Sequence, residues 1–487
     1  MYGLEFTLNG ARTSPEGFGP TTTLLQYLRA TGRTGTKEGC AEGDCGACTV
    51  AILDPDAPKG PTWRAINSCL VLLPTIHGRQ VVTIEGLSEP NGPVHPAPAA
   101  LVERLGSQCG YCTPGFVMSL FEACYRTDLD RPERLDDQLA GNLCRCTGYR
   151  PIREAAQAVA GLRPSDRFRA ALEKAEAQRR SWSGEQGGQR FFLPTRLEEL
   201  WAIQAQFPGI RLVAGATDLG LEITKRFAEP PLLCGLEGLS ELRGCRAQAG
   251  HHHLGAMTLL ADLEDYAELH LPPLHRMLRF FAARPIKNRG TLGGNLVTAS
   301  PIGDLAPVLL ALGAEVVLTG RAGSRRLPLS DFFLGYRKTA LGPGELLSEV
   351  IVPALEPGIR AAAYKVSKRQ ELDISTVSAS FWLRLDPTGR VEDLRLAYGG
   401  MAATPCRAPR TEAALRGQPY TEENVRRAAA ELERDFQPLS DHRGSAWYRR
   451  VVAQNLLLGF WLETEQQPLP QLPTRPIGTV TPPEARR

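Results

Sequence analysis

The chain has 487 residues, 43% of them hydrophobic and 22% charged, with a formal net charge of +3. That balance belongs to a folded enzyme of several domains and excludes a disordered chain, and so small a charge over such a length argues against nucleic acid as a partner. The apolar stretch Ala306–Leu318 is short and broken at Gly313 and Glu315, so no membrane span is expected; with no basic and then apolar leader in MYGLEFTLNG, the expected location is cytoplasmic.

In chain order, residues 1–86 read as a compact α/β unit. Leu4–Leu8 alternates as a strand, Asn9-Gly10 turns it, and Leu24, Leu25 and Leu28 repeat at helical spacing. A glycine-rich loop opens at Gly39, and Thr49–Leu53 and Gln80–Ile84 read as strands. Residues 87–165 lack β-branched alternation and carry three amphipathic segments, around Ala99–Leu105, Pro114–Tyr125 and Ile152–Leu162, which predicts a small helical domain. Residues 166–190, charged and then RRSWSGEQGGQR, have linker composition. From 191 to about 355 short strands, glycine turns and helices alternate as α+β. A further α+β domain is expected over 360–465, opening with the strand pair Ala363–Lys368 and Thr376–Leu385, and 466–487 reads as an extended proline-rich tail.

Eight of the twelve cysteines fall into two sets. The first, Cys40, Cys45, Cys48 and the later Cys69, has the C-x4-C-x2-C spacing of a plant-type [2Fe–2S] site. Glycines at 39, 43 and 46 let such a loop wrap a cluster and aim backbone N–H groups at its sulfurs. A zinc site fits this set poorly, because zinc sites show paired knuckles. The second set, Cys109-x2-Cys112 and Cys144-x-Cys146, is open to either reading on spacing alone. The tight C-x-C pair and the position of Cys112 at a helix start, where free N–H groups favour negative charge, point to a second cluster. Cys124, Cys234, Cys245 and Cys406 are isolated and read as buried structural thiols. His251, His252 and His253 are consecutive on a strand, so they cannot all face one ion, and they read as surface residues.

The segments GCAEGDCGACTV, QCGYCTPGFVMS and GNLCRCTGYRPI closely resemble the iron–sulfur region of the molybdenum hydroxylases. The resemblance runs from about residue 3 to about 460 and looks like the small subunit of a two-subunit member. It implies a multidomain α+β fold: a β-grasp plant-type ferredoxin domain, a small helical-bundle [2Fe–2S] domain, a two-part α+β FAD-binding domain and a C-terminal α+β domain. The implied cofactors are two [2Fe–2S] clusters and FAD. The implied partner is a large subunit carrying the molybdenum cofactor, in a heterotetramer of two chains of each kind, with NAD+ as electron acceptor.

The flavin region has no GxGxxG, so an ordinary dinucleotide fold is unsupported. Two other glycine turns stand out. Leu212-Val213-Ala214-Gly215-Ala216-Thr217-Asp218-Leu219 runs a strand into a small-residue turn whose N–H groups and Thr217 hydroxyl suit a pyrophosphate. Thr291-Leu292-Gly293-Gly294-Asn295, continuing through Thr298 to Asp304, offers backbone donors and polar side chains. Both resemble the FAD-binding segments of the same family. By the same resemblance Phe281 packs near the flavin, Asp304 is a polar contact, Leu347 lines the adenine side and Lys365 reaches the cofactor. Their plainer readings are a core Phe, a helix N-cap, a core Leu and a solvated strand Lys. Gln108 resembles a residue near the partner's pterin. Where relatives often carry paired acidic residues beside the flavin, Leu372 precedes Asp373 here, which leaves NAD+ or dioxygen as the acceptor.

Overall fold

The computed structural model describes residues 3–88, 92–177, 180–370 and 372–465; the expected tail, 466–487, lies outside them. The chain divides into two units. One comprises residues 1–271, 282–300 and 313–354; the other comprises 272–281, 301–312 and 355–487.

In the first unit, the N-terminal sheet has five strands in the order Ala11–Thr13, Phe6–Leu8, Gln80–Val82, Thr49–Asp54, Thr62–Asn67. Phe6–Leu8 runs parallel to Gln80–Val82, and the other pairings are antiparallel. This is the β-grasp arrangement. Its helix, Leu24–Ala30, opens with a capping box between Thr23 and Gln26 and buries Leu24, Leu25, Tyr27 and Leu28.

The next domain is helical: Pro96–Glu103, Thr113–Tyr125, Pro132–Leu139 and Arg150–Val159. Thr113–Tyr125 is its spine, buried from Gly115 to Tyr125, and Phe121 stacks edge-on against Trp63, Tyr125 and Phe168. The helix Pro132–Leu139 was not among the expected segments. It buries only Leu135 and Gln138, so PERLDDQL shows no apolar stripe.

The stretch expected as linker is structured in its described parts. Arg167–Glu173 forms a helix capped by Asp166, whose carboxylate accepts from the N–H groups of Phe168 and Arg169. Trp182–Gln186 is a strand paired with Gln189–Leu193 across the Gly187-Gly188 turn. The polar composition reflects an edge hairpin, which exposes one face.

The remainder of this unit holds two sheets. One orders Trp182–Gln186, Gln189–Leu193, Leu232–Gly235 and Arg211–Val213, with the last three parallel. The other is antiparallel, in the order Cys245–Gln248, His251–Gly255, Leu346–Pro353, Glu315–Gly320, Gly323–Pro328. The histidine run occupies its second strand, and His252 departs from the surface reading. It is buried, hydrogen-bonded to the Tyr266 hydroxyl at 2.9 Å and stacked near His270.

The second unit is a four-stranded antiparallel sheet, Arg360–Val366, Val377–Leu385, Val391–Gly399 and Cys406–Arg407. Its core joins Phe381, Tyr398, Phe436 and Phe460, the last on the helix Ala446–Glu465. Two helices reach it from within the segment expected as one contiguous flavin domain. Pro272–Arg279 buries Leu274, Met277 and Leu278, and the wholly apolar Leu305–Ala311 is buried throughout. A helix apolar on every side needs cover all round, which the sheet Val377–Leu385/Val391–Gly399 helps to supply. Among the described residues no helix is long and apolar enough to cross a membrane.

Candidate redox centres

The loop around Cys40 is built by backbone conformation. Ala41, Gly43 and Gly46 all have positive φ, at 55°, 83° and 70°. The chain thereby curls so that the N–H groups of Glu42, Asp44 and Cys45 donate to Cys40 Sγ at 3.4, 3.3 and 3.4 Å, and the N–H of Cys40 donates to Cys45 Sγ at 3.3 Å. Such N–H···S contacts favour a thiolate. The neighbouring Cys45 thiol and these N–H groups draw Cys40 down to about 5. Cys48 and Cys69 are buried; Cys69 is held on the 3₁₀ turn Ser68–Leu70, and Asn67 Nδ2 lies 3.9 Å from Cys48 Sγ.

The second set begins at Cys112, the N-cap of Thr113–Tyr125. Cys144 Sγ meets the Thr147 hydroxyl at 3.2 Å and the Thr147 N–H at 3.5 Å, and the Cys144 N–H donates to Tyr149 Oη at 3.0 Å. Cys109 and Cys146 are exposed, as is Gln108 beside them.

Within each set the thiols are neighbours of one another, Cys45 of Cys40, Cys69 of Cys48, Cys146 of Cys109 and Cys144 of Cys112, and Cys40 also acts on Cys48 and Cys69 and Cys109 on Cys112. Among the described residues no three His, Cys, Asp or Glu side chains converge as one ion would require. A mononuclear zinc site draws four ligands to one centre. A two-iron cluster needs four thiolates, two at each iron, and each set supplies four thiols. The four remaining cysteines differ in character. Burial pushes Cys124, Cys234 and Cys245 up to about 12 and Cys406 up to about 11, which keeps them unreactive. Only Cys124 and Cys234 are fully buried; Cys245 and Cys406 are half-buried, a correction to the expectation.

The two cysteine loops interlock. A Cβ on Gly46 would lie 2.2 Å from the Gly141 carbonyl oxygen, and one on Gly115 would lie 2.1 Å from the Gly46 carbonyl oxygen. With its amide oriented to satisfy its neighbours, Asn142 donates to the carbonyls of both Gly46 and Gly115 at 3.2 Å. The Tyr111 hydroxyl donates to the Glu38 carbonyl, just before the first loop. Neither Asn142 nor Tyr111 was singled out in the sequence, since each acts on backbone distant along the chain.

The first flavin segment runs from the strand Arg211–Val213 through Ala216, at φ 61°, into the helix Leu219–Arg226. A Cβ on Gly215 would lie 1.8 Å from the Arg289 carbonyl oxygen, so only glycine lets the two flavin segments meet. Among the described residues the N–H groups of Gly215, Ala216 and Thr217 have no hydrogen-bond partner, as an anion cradle requires. The second segment corrects the expectation for its glycines. The Gly293 N–H donates to the Ala256 carbonyl at 2.7 Å and the Gly294 N–H to Thr291 Oγ1 at 3.0 Å, so neither is available to a phosphate. Gly293 is needed for close packing, since a Cβ there would fall 2.8 Å from Ala256 Cβ. Thr298 donates back to the Gly294 carbonyl at 2.9 Å. Asn295 Oδ1 is buried without a partner, an acceptor suited to a cofactor hydroxyl. Leu347 is 5% exposed opposite Leu318, which is the core reading.

Phe281, Asp304 and Lys365 come together in the second unit. Lys365 Nζ lies 2.8 Å from Asp304 Oδ2, with both side chains under 5% exposed, and 5.9 Å from the Phe281 ring centroid. The Ser375 hydroxyl donates to Asp304 Oδ1 at 2.5 Å. Lys365 is therefore no solvated surface charge, and Asp304, although at the N-cap of Leu305–Ala311, makes no side-chain cap bond. Asp373 accepts from the N–H groups of Arg369 and Ile374 in its own loop.

Comparison with known proteins places each part. Residues 6–73 match the 2Fe-2S iron-sulfur cluster binding domain and 83–157 the [2Fe-2S] binding domain. Residues 186–355 match the FAD binding domain in molybdopterin dehydrogenase, and 362–464 match the CO dehydrogenase flavoprotein C-terminal domain. A xanthine dehydrogenase of Emericella nidulans is 32% identical over 97% of this chain and 39% of its own length; a xanthine dehydrogenase/oxidase of Gallus gallus is 31% identical over 95% and 40%. The chain thus spans about 39% of the first of these relatives. Among solved structures, a carbon monoxide dehydrogenase chain from Hydrogenophaga pseudoflava is 32% identical, with a TM-score of 0.53 over 55% of this chain and 94% of its own. A quinoline 2-oxidoreductase chain from Pseudomonas putida 86 is 28% identical, with a TM-score of 0.51 over the same shares.

Proposed function

The chain belongs to the molybdenum hydroxylase family, as its electron-transfer part with two [2Fe-2S] domains and an FAD-binding domain, and on that premise we propose that it serves a xanthine dehydrogenase. In this reading a partner subunit with the molybdenum cofactor oxidises hypoxanthine and xanthine to urate, and electrons pass through this chain to NAD+. The clusters and flavin would supply the one-electron and two-electron steps. Cys40, Cys45, Cys48 and Cys69 would hold one cluster and Cys109, Cys112, Cys144 and Cys146 the other. The turn at Gly215–Thr217 would receive the FAD pyrophosphate, with Asn295 at a cofactor hydroxyl and Phe281, Asp304 and Lys365 as further contacts. A heterotetramer with the large subunit completes the proposal.

The two sets of four thiols, lying in the segments that match two [2Fe-2S] domains, carry the cofactor reading, since they provide two ligands for each of four irons. What this chain's residues do is bind and insulate: N–H groups stabilise the thiolates at Cys40, and burial keeps Cys48 and Cys69 from water. The exposed Cys109, Cys146 and Gln108 are the side open to a partner.

The likeness over nearly the whole chain to two xanthine dehydrogenases favours the purine reading. The 28% likeness to a quinoline 2-oxidoreductase chain supports a second reading, oxidation of another N-heterocycle or an aldehyde. The test is to assemble the chain with its large subunit and compare xanthine, quinoline and an aldehyde as reductants of NAD+ and of dioxygen. Turnover of xanthine with NAD+ is expected; turnover of quinoline or the aldehyde alone would overturn the purine assignment.

A further inference from the structure

We propose that Glu122 is a positioning residue that holds the two cysteine loops and a flavin loop in register, an inference that rests on the cofactor assignment above. Glu122 is 1% exposed on the helix Thr113–Tyr125, whose N-cap is Cys112. One of its oxygens accepts from the N–H of Ala65 at 3.1 Å, on the strand that leads to Cys69, and from Gln138 Nε2 at 3.0 Å. The other accepts from Arg284 Nε at 3.2 Å and Asn288 Nδ2 at 3.2 Å. Asn288 also donates to the Ala65 carbonyl at 2.9 Å and lies just before Thr291-Leu-Gly-Gly-Asn. One carboxylate therefore ties together three segments, each within a turn or two of a proposed cofactor contact, and all within one unit.

The chemistry of the site demands a carboxylate. Every group facing the two oxygens is a donor: a backbone N–H, two amide NH2 groups and a guanidinium. An amide in place of Glu122 would aim its own NH2 at one of these donors, and Arg284 would lose its charge partner in a buried setting. Rearrangement at this point moves the segments it joins. Other ion pairs in the same unit, such as Lys287 with Asp137, join only two of the domains.

The experiment compares wild-type and E122Q holoprotein, purified with its large subunit, on three readouts: iron and sulfide content, the mutual splitting of the two paramagnetic signals after full reduction, and the rate of FAD release. E122Q is expected to retain its iron while the splitting changes and FAD release quickens by at least about tenfold. Unchanged splitting and unchanged FAD release overturn the inference. Should E122Q fail to fold, R284K and N288A each disturb one donor and spare the carboxylate; both are expected to shift the same two readouts less, and no shift in either overturns the proposal. A wild-type protein without two paramagnetic signals refutes the cofactor assignment itself and removes the basis of the inference.

Discussion

The backbone N–H of Leu143 donates to the carbonyl oxygen of Cys45 at 3.0 Å. Leu143 immediately precedes Cys144, so a residue of one cysteine set is hydrogen-bonded to the neighbour of a residue in the other. With Gly46 seated against Gly141 and Gly115, the two loops form a single packed body.

Because each cluster is proposed to use all four thiols of its set, losing one thiol is expected to remove that cluster. C45S and C112S are each expected to abolish one of two paramagnetic signals and to lower bound iron by about half. Either variant retaining both signals would contradict the ligand sets.

The close approach at Gly46 predicts a steric cost separable from backbone strain. G46A would place a methyl 2.2 Å from the Gly141 oxygen at φ 70°, and overpacking plus left-handed strain are expected to cost about 3 kcal/mol. G250A, at φ 76° with open space around it, is expected to cost only about 1 kcal/mol. Urea unfolding compares the two.

How much of this was legible beforehand depends on the kind of interaction. The cysteine sets and glycine turns are local patterns: spacing indicated the first cluster, while the second was open on spacing alone and followed from the helix start at Cys112 and the family resemblance. Periodicity located the helix Thr113–Tyr125, yet it missed Pro132–Leu139, whose buried face is a leucine and a glutamine. Gly293 and Gly294 looked like phosphate donors, because sequence does not reveal that Ala256 and Thr291 take their N–H groups. Glu122 left one trace, a lone charge in the apolar run VMSLFEACY; its partners Ala65, Arg284 and Asn288 are too far along the chain for spacing to find. The loss of Pro272–Phe281 and Pro301–Leu312 to the second unit was invisible for the same reason.

The contact between Gly215 and the Arg289 oxygen predicts a flavin-specific lesion. G215A is expected to lose FAD while retaining both clusters, seen as loss of the releasable flavin with iron unchanged. Wild-type flavin content in G215A would show that this turn does not hold the cofactor.

Lys365 and Asp304 form a buried ion pair, and leaving one charge unpaired is costly. K365M is expected to destabilise the second unit by about 3 kcal/mol, and K365M/D304L by less, because the double variant strands no charge. A double variant as unstable as K365M would contradict the pairing.

His95 predicts a pH dependence in the helical domain. Burial holds its imidazole down to about 4 despite Asp166 at 3.6 Å. Its Nδ1 accepts from the Ala97 N–H and its Nε2 meets the Tyr125 hydroxyl, so the neutral ring fits the fold. The unfolded chain protonates first, so stability falls as pH drops from about 6.5 towards 4, by about 2 kcal/mol. H95Q is expected to flatten that part of the stability profile; an unchanged slope would assign the effect elsewhere.

The most direct measurement is a joint assay of the purified chain for iron, acid-labile sulfide and extractable flavin, with low-temperature spectra after reduction. The account predicts about four irons, about four sulfides and one FAD per chain, with two distinguishable paramagnetic signals. Zinc in place of iron, with no sulfide and no flavin, would contradict it.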